Sequence, residues 1–422
     1  MLYYKIESEG DKMTEELIII GGGAAGMMAA ITAAGCGVRP ILLEGGERVG
    51  RKILSTGNGK CNYTNYHMTP DCFRSTDSAF PAEVLRHFNE KNTIRFFRSL
   101  GILPYDRNGY VYPRSEQAAS VLDALRRGLE ERDVREHTSC KVQRVSRTGD
   151  GFLVETEVGN FHAKRLILAT GGCAAPKTGS DGSGFILARQ LGHTIVSPVP
   201  ALVQLRAEEP FFKSISGVRT QARVTILIDG KPAASDRGEV QLTDYGISGI
   251  PVFQVSRYIS RELEMSKRPY IEVDFLPEFS AEELYEELLR RKRCHPKLET
   301  SYILEGIMNN KLTDAVLLKC GIGSRTLLNE LTGRQCQNIC AAVKCFRADV
   351  SETAGFDNAQ VTSGGVSRSE IDFEDMSSKV CEGLYLAGEI VDVDGICGGY
   401  NLQWAWSSGY IAGKGAAGGK QK

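Results

Sequence analysis

Leu17-Ile18-Ile19-Ile20-Gly21-Gly22-Gly23-Ala24-Ala25-Gly26 is four apolar residues followed by glycines in the pattern G-x-G-x-x-G. The apolar run predicts a buried strand. The next residues, Met27-Met28-Ala29-Ala30-Ile31-Thr32-Ala33-Ala34, are rich in helix formers and predict the helix that follows. In such a unit Gly21 allows the tight strand-to-helix turn. Gly23 lets backbone N–H groups reach a pyrophosphate, and Gly26 lets helix and strand pack closely. The helix N-terminus adds partial positive charge. A glycine pattern alone is weak evidence, but its surroundings strengthen it. Arg39-Pro40-Ile41-Leu42-Leu43-Glu44 predicts a second parallel strand ending in a carboxylate, placed to accept from a ribose hydroxyl pair.

Size and charge set the broad class. The chain has 422 residues, enough for two or three domains. Lys plus Arg number 51 against 52 for Asp plus Glu, so bulk electrostatics do not predict nucleic-acid or membrane-surface binding. No apolar run approaches a bilayer span, and Met1 to Lys12 lack the apolar core of a signal peptide. The 12 cysteines are scattered, which fits free thiols in a reducing, cytoplasmic setting. Cys336, Cys340 and Cys345 form the tightest cluster, but they lack the C-x-x-C pairs of a metal site. The sequence carries no signal for a particular oligomeric state.

Further along, Gly45-Gly46-Glu47-Arg48-Val49-Gly50-Arg51-Lys52 is a polar glycine-rich turn. Ser55-Thr56-Gly57-Asn58-Gly59-Lys60-Cys61-Asn62 is a loop of backbone donors, short polar side chains and one thiol, able to wrap a polar aromatic ring edge-on. Helices are predicted near 82–100 and 114–132, and an antiparallel meander over 138–161. Leu166-Ile167-Leu168-Ala169-Thr170-Gly171-Gly172 predicts a buried strand ending in a turn of small residues. From residue 197 the character changes. Strand-like runs at 221–228, 239–242 and 270–275 precede a capping box at Ser280-Ala281-Glu282-Glu283. This part reads as an inserted domain. Its turn-rich piece, 238–250, offers Asp244 and Tyr245 to a substrate. Composition then swings back. Residues 360–366 read as a turn and 383–389 as a strand ending in Gly388-Glu389. Asp394-Gly395-Ile396-Cys397-Gly398-Gly399-Tyr400-Asn401-Leu402-Gln403 reads as a glycine-rich loop entering a helix. Two glycine-turn-then-helix elements far apart in sequence suggest one large cofactor gripped from both ends.

These motifs together resemble the BaiN/YhiN-like FAD-dependent oxidoreductases, within the flavoproteins that carry two dinucleotide-binding domains. The likeness spans nearly the whole chain, and the closing run is its most specific part. The family usually has Thr where Cys397 stands and Arg where Lys60 stands. The resemblance implies an α/β fold: a Rossmann-like FAD-binding domain with an antiparallel meander, plus an inserted α+β domain, barrel-like with helices. The changes of composition along the chain suggest an extension over 1–13, the FAD-binding domain over 14–196 and 346–422, and the insertion over 197–345. The resemblance carries the cofactor. It implies FAD held by Gly21, Gly23, Ala24, Ala25 and Gly26 at the pyrophosphate and by Glu44 at the adenosine ribose. The turn Gly45, Arg51, Lys52, Ser55, Gly57, Asn58, Gly59, Cys61 and Asn62 would follow, with Val142 at the adenine. Ala169, Thr170, Gly171, Gly388, Glu389, Asp394, Gly399, Tyr400, Asn401 and Leu402 complete the expected cradle. No second strand–glycine–helix unit is present for a nicotinamide, so NADH or NADPH would dock transiently as co-substrate.

For catalysis the candidates are Cys61, as redox thiol or proton donor, Tyr400, as proton donor, and Cys397. Each has a structural alternative: the cysteines as small packing residues and Tyr400 as a ring packed on the cofactor or in the core. The leading expectation is reduction of a conjugated C=C bond in a small 3-oxo-Δ4 bile-acid or steroid-like enone. Alternatives are oxidation of a small amine and a low-turnover flavin redox sensor. Near-neutral charge counts against an RNA-modifying flavoprotein.

Overall fold

The computed structural model describes residues 14–76, 79–207 and 209–418; the extension expected over 1–13 lies outside them. The described chain divides into two compact units, the first from residues up to Pro198 and from Val361 onward, the second Val199–Gln360.

The first unit is built on five parallel strands. Thr14–Ile20 lies between Ile41–Leu43 and Gly159–Leu168, with Arg135–His137 beyond one and Leu384–Leu386 beyond the other. In chain order this is 3-2-1-4-5, the nucleotide-binding arrangement. Leu17, Ile18, Ile19, Met27 and Met28 are fully buried, because strand and first helix are covered on both sides. The meander is continuous with this sheet. Gly159–Leu168 pairs antiparallel with Gly151–Thr156 through its first half and parallel with Leu384–Leu386 through its second. The strand expected to begin near Leu166 is therefore the end of a ten-residue strand.

Local chemistry corrects several expected elements. The helix read over 82–100 is two helices, Ala79–His87 and Glu90–Ser99, because Asn89 caps the second by accepting from the N–H groups of Lys91 and Asn92. The helix read over 114–132 starts only at Ala118, after Glu116 takes φ of 51°. Residues 361–366, read as a turn, form a fully buried strand.

The second unit is a closed six-stranded barrel with helices. Its longest hairpin joins Arg219–Ile228 to Lys231–Thr243. The early part of the second strand shows no apolar alternation, since its residues are mostly exposed, so the sequence revealed only 239–242. The division expected at 345/346 lies at 360/361 instead. Phe346–Thr353 closes the barrel, pairing with Leu205–Ala207 on one side and Tyr270–Asp274 on the other. Each unit has its own apolar core.

Candidate functional site

The glycines of the first turn carry three different constraints. Gly21 has φ of 105°, and a Cβ there would meet the Ala169 carbonyl oxygen at 2.5 Å. A Cβ on Gly26 would lie 1.8 Å from the Gly21 carbonyl oxygen, so helix and strand touch through this residue. A Cβ on Gly23 would meet nothing within 4 Å. The middle glycine is thus the one that opens onto free space, as backbone that approaches a phosphate requires.

Glu44, at the end of the second strand, accepts from the Gly22 N–H at 2.8 Å and from the Gly46 N–H at 2.7 Å. It fixes both glycine turns and keeps a lone pair on each oxygen. Val142 is buried in the meander and Gly45 lies near Lys141. Arg51 donates to the Lys177 carbonyl. Lys52 and Glu389, 337 residues apart, form an ion pair of 2.8 Å. Lys52 also donates to the Ala174 carbonyl, and Glu389 accepts from the Thr362 N–H at 2.7 Å. Thr362 Oγ1 in turn accepts from the N–H groups of Cys173 and Ala174. This network joins the loop after the second strand to both returning segments. The sequence supplies its members as separate motifs but nothing that pairs them.

In the Ser55–Asn62 loop, Gly57 and Asn58 are left-handed at φ of 56° and 53°. Cys61 is left-handed too, at φ of 56°, and fully buried. Burial pushes its thiol up to about 12, against a smaller opposing hydrogen bond with Thr56. A thiol so placed stays protonated, which removes the thiolate that a redox cysteine needs. Tyr400 donates to the His67 carbonyl at 2.9 Å, and burial raises its phenol above the ordinary value. Both side chains hold their protons against the fold. Cys397 is half-buried, and neither it nor Cys61 is in a disulfide.

Gly399, at φ of 91°, starts the closing helix Tyr400–Ala416. Asn401 braces the preceding loop, accepting from the Gly395 N–H and donating to its carbonyl, while Asp394 pairs in a short strand with Arg74. Gly388 donates to Ser408 Oγ, and its carbonyl accepts from Trp404. Leu402 is half-buried against the core.

Two buried polar atoms without a hydrogen-bond partner mark the cradle: Asn62 Oδ1 and Thr170 Oγ1. Asn62 Oδ1 lies 2.9 Å from where a Cβ on Gly399 would be, at the start of the closing helix. Thr170 lies just past the end of Gly159–Leu168, between Ala169 and Gly171. An orphaned buried acceptor costs free energy, so these atoms fit a bound polar group that completes their bonds. The open face of Gly23 fits the phosphates of the same group. Asp244 and Tyr245 lie in a turn of the barrel unit, where Tyr245 stacks with Arg206 at 5.6 Å.

One buried cluster stands apart. His193 is bonded at Nδ1 to Glu370 and at Nε2 to Ser378, both at 2.9 Å. The order imitates a nucleophilic triad. Ser378 Oγ, however, already accepts from the N–H groups of Val380 and Cys381, and the His193 side chain is inaccessible. It is a brace. Among the described residues no group of His, Cys, Asp and Glu is placed to hold a metal ion, and no helix is long and apolar enough to cross a membrane.

The HI0933-like protein Rossmann domain model matches residues 15–415. A 3-dehydro-bile acid delta(4,6)-reductase of Clostridium scindens is 44% identical over 94% of this chain and 98% of its own. A ribosomal RNA dihydrouridine synthase of Haemophilus influenzae is 30% identical over 94% of this chain and 96% of its own. One of the same name from Escherichia coli is 28% identical over 94% and 96%. Among solved structures, the open conformation of a flavocytochrome c3 fumarate reductase shares the fold. Its TM-score is 0.50 at 16% identity, over 97% of this chain and 79% of that one.

Proposed function

Because the chain belongs to the HI0933-like family, we propose that it is an FAD-dependent oxidoreductase that reduces a carbon–carbon double bond conjugated to a carbonyl, with NADH or NADPH as electron donor. The substrate class is a 3-oxo-Δ4 bile-acid or steroid-like enone, a small molecule, reduced in the cytoplasm without a nucleic-acid or membrane partner. The observation that carries this reading is the 44% identity, along nearly the whole of both chains, to a reductase of such a compound.

When bound, FAD supplies the hydride for the reduced bond. The chain's own residues do the rest. Backbone N–H groups at Gly23 and the first helix N-terminus would take the phosphates, and Glu44 holds the turn that would present them. Asn62 and Thr170, whose buried side-chain oxygens have no partner within the protein, would complete their bonds on the ligand. The Lys52–Glu389 pair fixes the loop against the returning segments. Cys61 serves as a small buried packing residue. The Tyr400 hydroxyl keeps its proton and donates to the His67 carbonyl, which positions the first turn of the closing helix.

A second reading follows from the 30% relative. Dihydrouridine is uridine with its ring C=C bond reduced, and that bond is also conjugated to a carbonyl. The chemistry is then the same, with RNA as substrate. The balance of 51 basic against 52 acidic residues favours the small molecule.

The test is anaerobic. NADH or NADPH added to the purified yellow protein bleaches the flavin band, and a 3-oxo-Δ4,6 steroid acid restores it. Failure of both nucleotides to bleach the band overturns the donor assignment. Bleaching reversed by uridine-containing RNA and not by the steroid moves the substrate to the second reading.

A further inference from the structure

A small three-stranded sheet in the first unit, Thr64–Asn65, Tyr110–Pro113 and Pro104–Arg107, takes no part in the cofactor cradle described above. Tyr105 faces Tyr112 across the ladder, and Tyr110 faces both Arg107 and Asn65. Directly opposed residues share a face, and alternate residues along a strand do too. Tyr105, Arg107, Tyr110 and Tyr112 therefore stand on one side. Arg114, two residues past Tyr112, joins them, with its guanidinium 5.0 Å from the Tyr105 ring centre. Val111, on the opposite side, is fully buried and anchors the sheet.

This face adjoins both loops expected at the ring end of the cofactor. The Tyr112 ring lies 3.6 Å from a Cβ built on Gly57, and the Tyr110 ring 2.9 Å from one built on Gly398. Asn65 donates to the Gly398 carbonyl at 2.9 Å. Charge on the face is uneven. Lys60 and Arg107 share a single carboxylate, Glu116, at 3.5 and 2.8 Å. Arg114 makes no salt bridge among the described residues. Arg114 lies four residue steps from Tyr110, about 13 Å along extended chain.

We propose that this face receives the substrate, and that the substrate is a flat, fused-ring unsaturated ketone with a carboxylate at its far end. The ring end lies at Tyr110, beside the Gly398–Gly399 turn, and the carboxylate lies at Arg114. Aromatic side chains offer area to a flat ring, and a guanidinium fork matches a carboxylate. One anion suits one surplus arginine, whereas an RNA needs a track of cations that the balanced chain does not supply. The inference rests on the steroid-like substrate class proposed above.

Calorimetric titration of the purified holoprotein with a 3-oxo-Δ4,6 steroid carboxylic acid and with its methyl ester tests it without turnover. The acid binds about tenfold more tightly than the ester. Arg114→Ala brings that ratio close to one, and Arg114→Lys keeps part of it. Tyr110→Ala weakens acid and ester alike, which separates ring contact from charge. Equal binding of acid and ester by the wild type, or a ratio unchanged in Arg114→Ala, overturns the proposal and leaves the reductase reading standing. Binding of neither compound overturns both. Displacement of the acid by a short uridine-containing RNA, with steep salt dependence, overturns it in favour of RNA.

Discussion

At the scale of single residues, the glycines of the first turn separate folding from binding. A methyl on Gly26 has nowhere to go, since backbone oxygen lies 1.8 Å away. Gly26→Ala therefore costs at least the ~1–3 kcal/mol of an overpacked contact, and thermal unfolding of the cofactor-free protein registers it directly. Gly23→Ala meets open space, so the cofactor-free protein keeps its melting temperature while FAD titration shows weakened binding. The opposite order of effects would contradict the assigned roles. Cys61 makes a pH-dependent prediction. Its pKa is raised from 9.0 to about 12 in the folded protein, by burial. The buried thiol thus contributes stability that is full below pH 9 and is lost as pH rises towards 12. Denaturant titrations across that range give a shallower decline for Cys61→Ala than for the wild type. In the native state at pH 8, iodoacetamide leaves Cys61 unmodified, as mass spectrometry of the digested protein reports. The sequence showed that a cysteine sits in the loop. Its burial and its left-handed backbone depend on what packs around it, and neither was legible.

At the scale of elements, the closing helix is what holds the returning segments to the first helix. Cβ atoms on Gly409 and Gly413 would lie 2.4 Å from the carbonyl oxygens of Ala25 and Ala29. The two helices meet backbone to backbone, one turn apart, through small residues. Trp406 reaches from the same helix to donate to the Tyr63 carbonyl, and Gln403 accepts from Thr64. Gly409→Ala must therefore push the first helix away, and that helix begins at the phosphate turn. The expected outcome is a lower melting temperature together with reduced flavin content in the purified protein. A variant that melted early but kept full flavin would show the two helices to be independent of the phosphate turn. Elements with strong local signals were legible: the first strand and helix, the capping box at Ser280, and the glycine turn into the closing helix. The Lys52–Glu389 pair was not, because an ion pair across 337 residues leaves no local trace.

At the scale of the molecule, two units with separate cores raise the question of where one ends. Phe346–Thr353 alternates buried and exposed residues, so a strand was readable there in principle. Its partners were not, because a strand's own pattern does not say which sheet it joins. The strand pairs with Leu205–Ala207 and with Tyr270–Asp274, and removing it would open the barrel along both of those edges. The ends of the second unit are also close together: Ala354 donates to the Gln204 carbonyl at 3.0 Å and Gln360 to that of Leu202 at 3.3 Å. A fragment of residues 199–360 keeps the closed barrel and its whole core, and is expected to unfold in a single cooperative thermal transition by circular dichroism. A fragment of 199–345 lacks the closing strand and exposes two unpaired edges, so it is expected to aggregate or to melt without cooperativity. If the shorter fragment folded as well as the longer, the strand would be dispensable to the barrel, and the boundary would return to the position that composition alone suggests.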